Sequence, residues 1–479
     1  MRVLMVSANR VRQPVPVFPL GACMVAESAR QAGHDVQFMD MMFQKDPRQA
    51  LAAAITTFRP EVVGLSIRNI DTNDISKPLA LADEAACLAD TIRKHSHAPI
   101  VLGGAALGVM PRQLLAHTAA TCAVTANGDL VFPRLLAAIQ RGDNLGTVPG
   151  VIRRGAGQAQ APPARQGPLP DCTVEEISRW VDARAYLSRM ASVPVQAKRG
   201  CPFECVYCTY NMADGKTYRL HPPDKVVQTV AGLAKRGLRD IEFVDNVFNS
   251  PYKHALAICH GLAAARLPVR LQSLELNPRF LDDALLSAME AAGFVGIGVT
   301  AESASDGPLR AMRKGYTAAD VRKAAQIVAR HRIPCIWIFM LGGPGETQDS
   351  VAQTLEFAAN SIRPGDTAFF QTGTRIYPGT ALEPMAREQG ILNASADDML
   401  SPMFYVSPDV RLDWLKDQLA AAAEKHLNFV IGDTLRLPLL QSVLRVSYGL
   451  GLRPPLWRHA AAVRRVLKWL GLYRPGGDA

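Results

Sequence analysis

The sequence predicts an α/β protein in which a doubly wound parallel sheet precedes a partial barrel and a helical C-terminal region. Short apolar runs alternate with longer amphipathic segments over residues 1–145 and again over 193–385, which is the pattern of parallel strands covered by helices. The segment between them is rich in Gly, Pro, Ala and Gln and is typical of a hairpin plus a linker, assigned to 146–192. Residues 386–479 form the C-terminal region, with an amphipathic helix expected at 413–429.

Five apolar runs in the first unit are expected to be buried parallel strands, at 2–8, 36–40, 62–67, 100–104 and 122–126. Helical patterns fall between and after them, at 20–31, 47–58, 77–95, 111–117 and 130–141. Sheets of this kind bind ligands beyond the carboxyl ends of their strands. The loops that follow the strands are therefore the part of this unit that the sequence points to for function.

Six strand–helix repeats follow in the second unit, with strands at 193–197, 240–244, 269–275, 296–301, 334–341 and 368–375. Their helices are expected at 223–236, 253–265, 282–292, 317–331 and 350–361. Active sites of parallel barrels lie at the carboxyl ends of the strands. The loop after the first of these strands carries three cysteines, so chemistry is expected there.

Cys201, Cys205 and Cys208 stand in a CxxxCxxC pattern, and thiolates this close in sequence can converge on one metal centre. A [4Fe–4S] cluster usually takes four cysteines, so three would leave one iron open. A zinc site would need a fourth ligand, for which His221 is the next candidate downstream. A disulfide is disfavoured because three clustered cysteines cannot pair evenly.

Composition limits the class of protein. The 479 residues are 48% hydrophobic and 20% charged, which suits a well-buried globular chain. The N-terminus lacks the features of a signal peptide, and no stretch approaches the roughly 20 apolar residues that span a bilayer, so a cytoplasmic protein is expected. The net charge of +10 permits an anionic partner without specifying one. Nothing resembles a known RNA-binding module, and no nucleic-acid partner is expected.

The cysteine motif, with Arg199-Gly200 before it and Tyr207 inside it, resembles the radical S-adenosylmethionine (SAM) superfamily. The resemblance implies that the three cysteines are metal ligands of a [4Fe–4S] cluster and that SAM chelates the open iron. It also implies a flavodoxin- or ferredoxin-type electron donor. Further SAM contacts are implied at the ends of successive barrel strands, namely Asp245, Asn246, Glu302, Ser303, Gly343, Pro344 and Tyr377.

The doubly wound domain in front of the barrel is Rossmann-like (flavodoxin-like), and this order resembles the cobalamin-binding radical SAM enzymes. The resemblance implies bound cobalamin, with Ser66, Gly103 and Gly104 near its nucleotide tail. The alternative for the two glycines is a tight strand–helix turn. Many cobalamin domains carry a DxHxxG motif, but the loop at 9–19 has no histidine. A lower histidine ligand from this loop is therefore not expected.

Arg68 follows the third strand and could lie beneath the corrin. An arginine is always cationic and cannot ligate cobalt, so a catalytic role in favouring the Co(I) state is expected. The alternative is that Arg68 pairs with Asp71 or Asp74 on its own loop. Arg219 and Tyr210, after the cysteines, are further residues that could face the cluster or the cobalamin.

The last part of the chain changes character. Acidic residues are absent from 435 until Asp478, while arginines and aromatic residues accumulate. A basic, aromatic amphipathic helix can lie on an anionic membrane, so peripheral membrane contact is one interpretation. The other is a helix packed on the barrel with a solvated basic face.

The resemblance implies a C-methyltransferase that acts on an unactivated carbon through a 5′-deoxyadenosyl radical and methylcobalamin. Two alternatives remain open. One is cyclisation, rearrangement or oxidation without methyl transfer, and the other is a non-catalytic cobalamin or iron–sulfur sensor. The substrate is expected to be a small molecule or a lipid-like compound.

Overall fold

The computed structural model describes residues 1–155, 169, 177–432 and 440–469. Its first sheet has six strands in the order β2-β1-β3-β4-β5-β6, of which the first five in the chain are parallel and the sixth is antiparallel to β5. The bounds are β1 (Arg2–Ser7), β2 (Asp35–Asp40), β3 (Val62–Ser66), β4 (Ile100–Gly103), β5 (Cys122–Val124) and β6 (Val151–Arg153).

The five predicted helices of this unit are present. They are α1 (Leu20–Gln31), α2 (Pro47–Phe58), α3 (Ala82–His95), α4 (Pro111–His117) and α5 (Gly128–Arg141). The start of α2 is fixed by Asp46, whose side chain accepts a hydrogen bond from the Gln49 N–H. The prediction was wrong for the start of α3, because the Asp74 side chain accepts hydrogen bonds from the backbone of Ser76 and Lys77 and holds a turn there.

The second sheet is an open barrel of seven parallel strands in the order β17-β14-β13-β12-β11-β10-β7. Two short antiparallel strand pairs, β8 with β9 and β15 with β16, accompany it. The bounds are β7 (Val193–Val195), β8 (Lys198–Arg199), β9 (Arg219–Leu220), β10 (Asp240–Phe243), β11 (Arg270–Leu276), β12 (Phe294–Glu302), β13 (Cys335–Leu341), β14 (Thr367–Thr372), β15 (Thr374–Arg375), β16 (Phe404–Tyr405) and β17 (Phe429–Ile431).

Helices cover the outside of this barrel and continue into the C-terminal region. In chain order they are α6 (Ile177–Trp180), α7 (Ala183–Leu187), α8 (Tyr210–Asp214), α9 (Pro223–Lys235), α10 (Tyr252–Ala265), α11 (Asp283–Ala292), α12 (Asp306–Ala311), α13 (Ala318–Arg330), α14 (Gln348–Ser361), α15 (Leu382–Glu388), α16 (Leu412–Lys425), α17 (Leu440–Gly449) and α18 (Ala460–Trp469). None of the helices in the described part of the chain is both long and apolar enough to cross a membrane.

Two further predicted segments differ from the structure. The helix expected at 413–429 ends at Lys425, and Phe429 begins a seventh barrel strand that pairs with Ala368. The apolar run of this strand buries Phe429 against Phe370, with ring centroids 5.1 Å apart. The hairpin expected after residue 146 instead adds β6 to the first sheet, and the linker residues 156–168 and 170–176 lie outside the described part.

Candidate active site between the two sheets

Residues that follow strands of the first sheet bond to residues that follow strands of the barrel. Beyond β3, Asp71 pairs with Arg375 at 2.7 Å, and Asn73 accepts from the Tyr377 hydroxyl at 2.9 Å. Beyond β5, Asp129 pairs with Arg199 at 2.6 Å. The carboxyl ends of both sheets therefore face each other, and these are the edges at which each fold type binds its ligands.

The cysteine loop begins at a position that only glycine tolerates. Gly200 has φ +88°, and a Cβ there would lie 2.0 Å from the backbone oxygen of Thr217. The loop is closed by the antiparallel pairing of β8 with β9 and by a hydrogen bond from Cys201 N–H to Gly215 O at 3.0 Å. The sharp reversal places Cys201 in the buried interior at the end of β8.

The three thiols of the motif lie close enough for their charges to interact. Burial raises the pKa of the Cys208 thiol to about 12, and the charges of Cys205 and Cys201 add to this effect. Iron binding must therefore displace protons that burial retains. In the residues that the structure describes, no three His, Cys, Asp or Glu side chains are gathered as a metal would need. Convergence of the three sulfurs on one cluster stays a prediction.

Asp245 secures the start of the cysteine loop. Its Oδ1 accepts hydrogen bonds from the backbone of Ala197 at 2.8 Å and Lys198 at 3.0 Å. Its Oδ2 lies 3.6 Å from the Lys198 Nζ and has no hydrogen-bond partner. Asn246 donates to Asp214 at 3.3 Å. The structure thus gives Asp245 a positioning role that the sequence did not predict, and contact of either residue with SAM stays a prediction.

Glu302 lies in a buried polar cluster with Lys314 and Tyr207. Its Oε1 accepts from the Tyr207 hydroxyl at 2.7 Å and from the Lys314 Nζ at 2.9 Å, and Lys314 also donates to Tyr207 at 2.9 Å. Burial by itself lowers the pKa of Lys314, but Glu302 together with Tyr207, Tyr316 and Cys205 outweighs this effect, so the pKa of the lysine is raised well above its usual value. The Oε2 of Glu302 is buried without a hydrogen-bond partner. This orphaned oxygen fits an acceptor for the hydroxyl or ammonium groups of SAM.

The backbone at Glu302 is unusual for a non-glycine residue, with φ +58°, and the pairing of β12 with β13 shifts between Thr300 and Glu302. The next residue, Ser303, has its side chain directed toward α14. Ser303 is fully buried and its hydroxyl lies 3.1 Å from that of Thr354 in α14. The irregular strand end thus points the Ser303 side chain toward the helix layer, and its contact with SAM stays a prediction.

The glycine-rich turn after β13 packs closely. Gly342 has φ +83°, and a Cβ at Gly343 would lie 3.4 Å from the Met312 sulfur, so little free space adjoins this position. Pro344 is buried in the same turn. After β14, the Tyr377 ring lies under the Arg375 guanidinium at 4.7 Å. The turn is therefore well placed as a wall of the site, and its contact with adenine stays a prediction.

The end of β4 offers the close approach that a large ligand requires. Gly104 has φ +99°, and a Cβ there would lie 2.3 Å from the Ile67 backbone oxygen. Nothing lies within 4 Å of a Cβ built on Gly103, and Ser66 beside it is partly exposed. Gly104 is thus required by the turn itself, whereas Gly103 faces open space. The open side at Ser66 and Gly103 fits the cradle predicted for cobalamin.

Arg68 is not paired with the aspartates of its own loop. Asp71 is occupied by Arg375 and Asp74 by backbone N–H groups, so that alternative was wrong. Arg68 donates to the Asn69 side chain at 3.1 Å. Its side chain is exposed, yet loss of hydration beside the barrel lowers the pKa of Arg68, an effect that the neighbouring Tyr210 and Glu242 partly offset. Arg68 therefore faces the space between the sheets, and its position beneath a corrin stays a prediction.

Two inward-facing glutamates were missed at the sequence level. Glu242 on β10 accepts a hydrogen bond from Gln272 at 2.9 Å, and burial raises its pKa to about 7. Glu275 on β11 has its pKa raised to about 8, first by burial and then by the charge of Glu302. Each glutamate is the next-to-last residue of a barrel strand, near the carboxyl end where active sites of such folds lie, and this position was the signal that could have identified both.

Comparison with known proteins agrees with this geometry. Residues 9–136 match the B12 binding domain model, and residues 195–358 match the Radical SAM superfamily model. An uncharacterized methyltransferase of Pyrococcus horikoshii is 26% identical over 78% of this chain and 79% of its own length. The tryptophan 2-C-methyltransferase of Streptomyces laurentii is 23% identical over 81% of this chain and 74% of its own length.

A solved structure shares the complete fold. The radical SAM methyltransferase TsrM of Kitasatospora setae, determined with cobalamin and a [4Fe–4S] cluster, superposes with a TM-score of 0.84 and 22% identity, covering 98% of both chains. The same enzyme has been solved with tryptophan and a SAM analogue, and that structure superposes with a TM-score of 0.85 and 21% identity. These likenesses show that the arrangement of the two sheets is the same.

Proposed function

Because the chain belongs to the cobalamin-binding radical SAM enzymes, we propose that it is a C-methyltransferase acting on a small organic molecule. Its cofactors are a [4Fe–4S] cluster, SAM and cobalamin, which together supply a 5′-deoxyadenosyl radical and a transferable methyl group when bound. The observation that supports the proposal is the opposition of the two sheet edges: Arg199, which leads into the cysteine loop, pairs with Asp129, and Asp71, which follows Arg68, pairs with Arg375.

Each group of site residues would have a separate role in holding these cofactors. The cysteine loop would hold the cluster, and the orphaned Oε2 of Glu302 would accept a hydrogen bond from SAM. Lys314 fixes the orientation of that carboxylate through its 2.9 Å contact. Arg68 would present a fixed cation toward the cobalamin face of the space, where it disfavours a positively charged metal.

The acceptor is proposed to be a polar small molecule. Glu242 and Glu275 line the barrel side of the space, and neither forms an ion pair in the described part of the chain. Burying a purely hydrocarbon substrate against two carboxyl groups would cost desolvation without any hydrogen bond in return. The solved relative with tryptophan bound is consistent with a substrate of this size and polarity.

Product analysis tests the proposal. The full chain is reconstituted anaerobically with iron, sulfide, cobalamin, SAM and a reductant, and is incubated with pools of polar metabolites. Methyl transfer yields S-adenosylhomocysteine and 5′-deoxyadenosine together with a substrate heavier by one methyl group. Formation of 5′-deoxyadenosine alone would support the alternative radical chemistry, and formation of neither would support a sensor.

A matched pair of cysteine variants controls this experiment. Cys205→Ala should abolish iron loading and both products, because one of three predicted cluster ligands is removed. Cys87→Ala changes a partly buried cysteine on α3, away from the motif, and should leave both unchanged. Full iron content in the Cys205 variant would contradict the assignment of the site. Reduction also requires a partner, proposed to be a flavodoxin- or ferredoxin-type electron donor.

The described C-terminal helices support a further proposal, contact with an anionic membrane surface. Val446 on α17 is 62% exposed, Leu450 directly after this helix is 78% exposed, and Trp469 at the end of α18 is 84% exposed. No acidic residue occurs in 440–469, whereas the basic residues there are Arg445, Arg453, Arg458, Arg464, Arg465 and Lys468. Exposed apolar side chains can insert into the surface of a bilayer, and basic residues without acidic neighbours are attracted to anionic lipid headgroups.

Sedimentation with vesicles tests this contact. The full chain should bind vesicles of phosphatidylglycerol and phosphatidylcholine but not of phosphatidylcholine alone. A Leu450→Glu and Trp469→Ser double variant should lose binding, because charge replaces apolar area. Leu79→Glu is the matched control, since Leu79 is 49% exposed but lies in the first domain. Equal binding by the double variant, or no binding by the unaltered chain, would refute the proposal.

A further inference from the structure

Two buried ion pairs join the cobalamin-binding domain to the barrel. The first joins Asp129 and Arg199 through two hydrogen bonds of 2.9 and 2.6 Å, with side chains that are 3% and 7% exposed. The guanidinium of Arg199 is also fixed by Gln196 at 2.8 Å. The planar guanidinium of Arg199 donates from all three of its nitrogens, so the side chain has little rotational freedom.

The second pair joins Asp71 and Arg375 at 2.7 Å, with side chains 0% and 3% exposed. Arg375 also donates to the backbone oxygen of Met399 at 2.7 Å and lies over the Tyr377 ring. Both pairs cross between domains, since their partners are separated by 70 residues and 304 residues in the chain.

Each pair is attached to a part of the site that carries chemistry. Arg199 is two residues before Cys201, and its partner Asp129 lies in the first turn of α5, beyond β5 of the cobalamin-binding domain. Asp71 is three residues after Arg68, and its partner follows β14 at the wall of the barrel. Movement of either domain would therefore move the cysteine loop relative to Arg68.

Their burial indicates what the pairs can do. Buried ion pairs contribute little net stability compared with apolar residues, because the desolvation of both charges offsets their attraction. They do impose one geometry, since any displacement leaves an unpaired charge away from water. Two such pairs on different strands resist both sliding and tilting of one sheet edge against the other.

We propose that these two ion pairs set the distance between the radical-generating centre and the methyl-carrying centre, with Arg199 and Arg375 as positioning residues. The inference rests on the proposed function, because it assumes that both centres act on one substrate. Misplacement of reacting groups by about 1 Å can slow a reaction by about 100-fold. Breaking a pair should therefore uncouple the two half-reactions before it abolishes either of them.

The test compares Asp129→Asn and Asp71→Asn with Asp283→Asn in the reconstituted full chain. Asp283 forms a similar two-bonded pair with Arg330 at 3.1 and 2.6 Å, but that pair is over half exposed and remote from the space. Iron and cobalt content are measured first. The paramagnetic resonance spectrum of Co(II) cobalamin is then recorded with the cluster reduced, since magnetic coupling between the two centres reports their separation.

In the two interdomain variants we expect full cofactor loading, an altered magnetic coupling, and a fall of about 100-fold in methylated product for each 5′-deoxyadenosine formed. The Asp283 variant should match the unaltered chain. Unchanged coupling and product ratio in both interdomain variants would overturn the proposal. If the unaltered chain makes 5′-deoxyadenosine without methylation, the proposed function fails, while the coupling measurement still decides whether the pairs set the distance.

A conservative variant separates positioning from folding. Asp129→Glu keeps the charge but displaces the carboxylate by one methylene, so it should fold and load cofactors while showing an intermediate coupling. If Asp129→Asn does not fold, the glutamate variant alone decides the question. A glutamate variant with the coupling and product ratio of the unaltered chain would then overturn the proposal.

Discussion

Removing the charge of Lys314 should strongly destabilise the barrel. Lys314 and Glu302 are 9% and 6% exposed and their charged atoms are 2.9 Å apart. At an effective dielectric constant of about 20, that distance corresponds to roughly 6 kcal/mol of attraction. Lys314→Met would forfeit this attraction while Glu302 stays buried and uncompensated, and such losses amount to about 3–5 kcal/mol.

Urea unfolding followed by circular dichroism measures the effect, with the barrel transition analysed separately if the two domains unfold in separate steps. A Lys314→Met and Glu302→Gln double variant should recover most of the loss, because it removes both charges. Arg330→Met breaks an exposed pair with Asp283 and should cost at most about 1 kcal/mol. A Lys314→Met variant no less stable than Arg330→Met would refute the reasoning.

Three further predictions follow from the site. Gly104→Ala should lower both stability and cobalamin retention, because its Cβ would lie 2.3 Å from the Ile67 backbone oxygen. Gly103→Ala should fold normally and lose only cobalamin. Unfolding measurements and cobalt content distinguish the two outcomes. The pKa of Glu275 is raised from 4.5 to about 8, so between these pH values the folded state keeps a proton that the unfolded state releases. The free energy of unfolding should therefore fall as the pH rises from about 4.5 to about 8. Glu275→Gln should make the free energy of unfolding less dependent on pH, as measured by unfolding across this range. Arg68→Ala should retain cobalamin but slow methyl transfer more than SAM cleavage. Arg68→Lys should recover little of the methyl-transfer rate, because a lysine is a mobile charge that can deprotonate. Equal slowing of both reactions would contradict this role.

Most of the fold could be predicted from periodicity alone. Helices α1, α2 and α4 have the predicted bounds, because each is an uninterrupted amphipathic segment limited by Pro or by a polar residue. The prediction failed where a side chain competes with the helix, as Asp74 does before α3. It also failed at β17, since a three-residue apolar run does not reveal whether it will extend a helix or join a sheet.

The candidate site was predicted in outline but not in its partners. The spacing of Cys201, Cys205 and Cys208 is local and can be recognised without a structure. Lys314 belongs to no motif, and its place beside Glu302 depends on the path of the chain after α12. Ser303 was assigned to the site by resemblance, as the neighbour of Glu302; only the structure showed that its hydroxyl lies beside Thr354 of α14, and its contact with SAM stays a prediction.

The sequence by itself determined the two parallel sheets, the cysteine loop after the first barrel strand and the absence of histidine from the loop at 9–19. These features depend on residues that are neighbours in the chain, and periodicity and spacing record them directly. Only the tertiary structure decided that Asp129 meets Arg199 and that Asp71 takes Arg375 rather than Arg68. A buried charge must find an opposite charge wherever packing provides one, and that choice depends on how the two sheet edges meet.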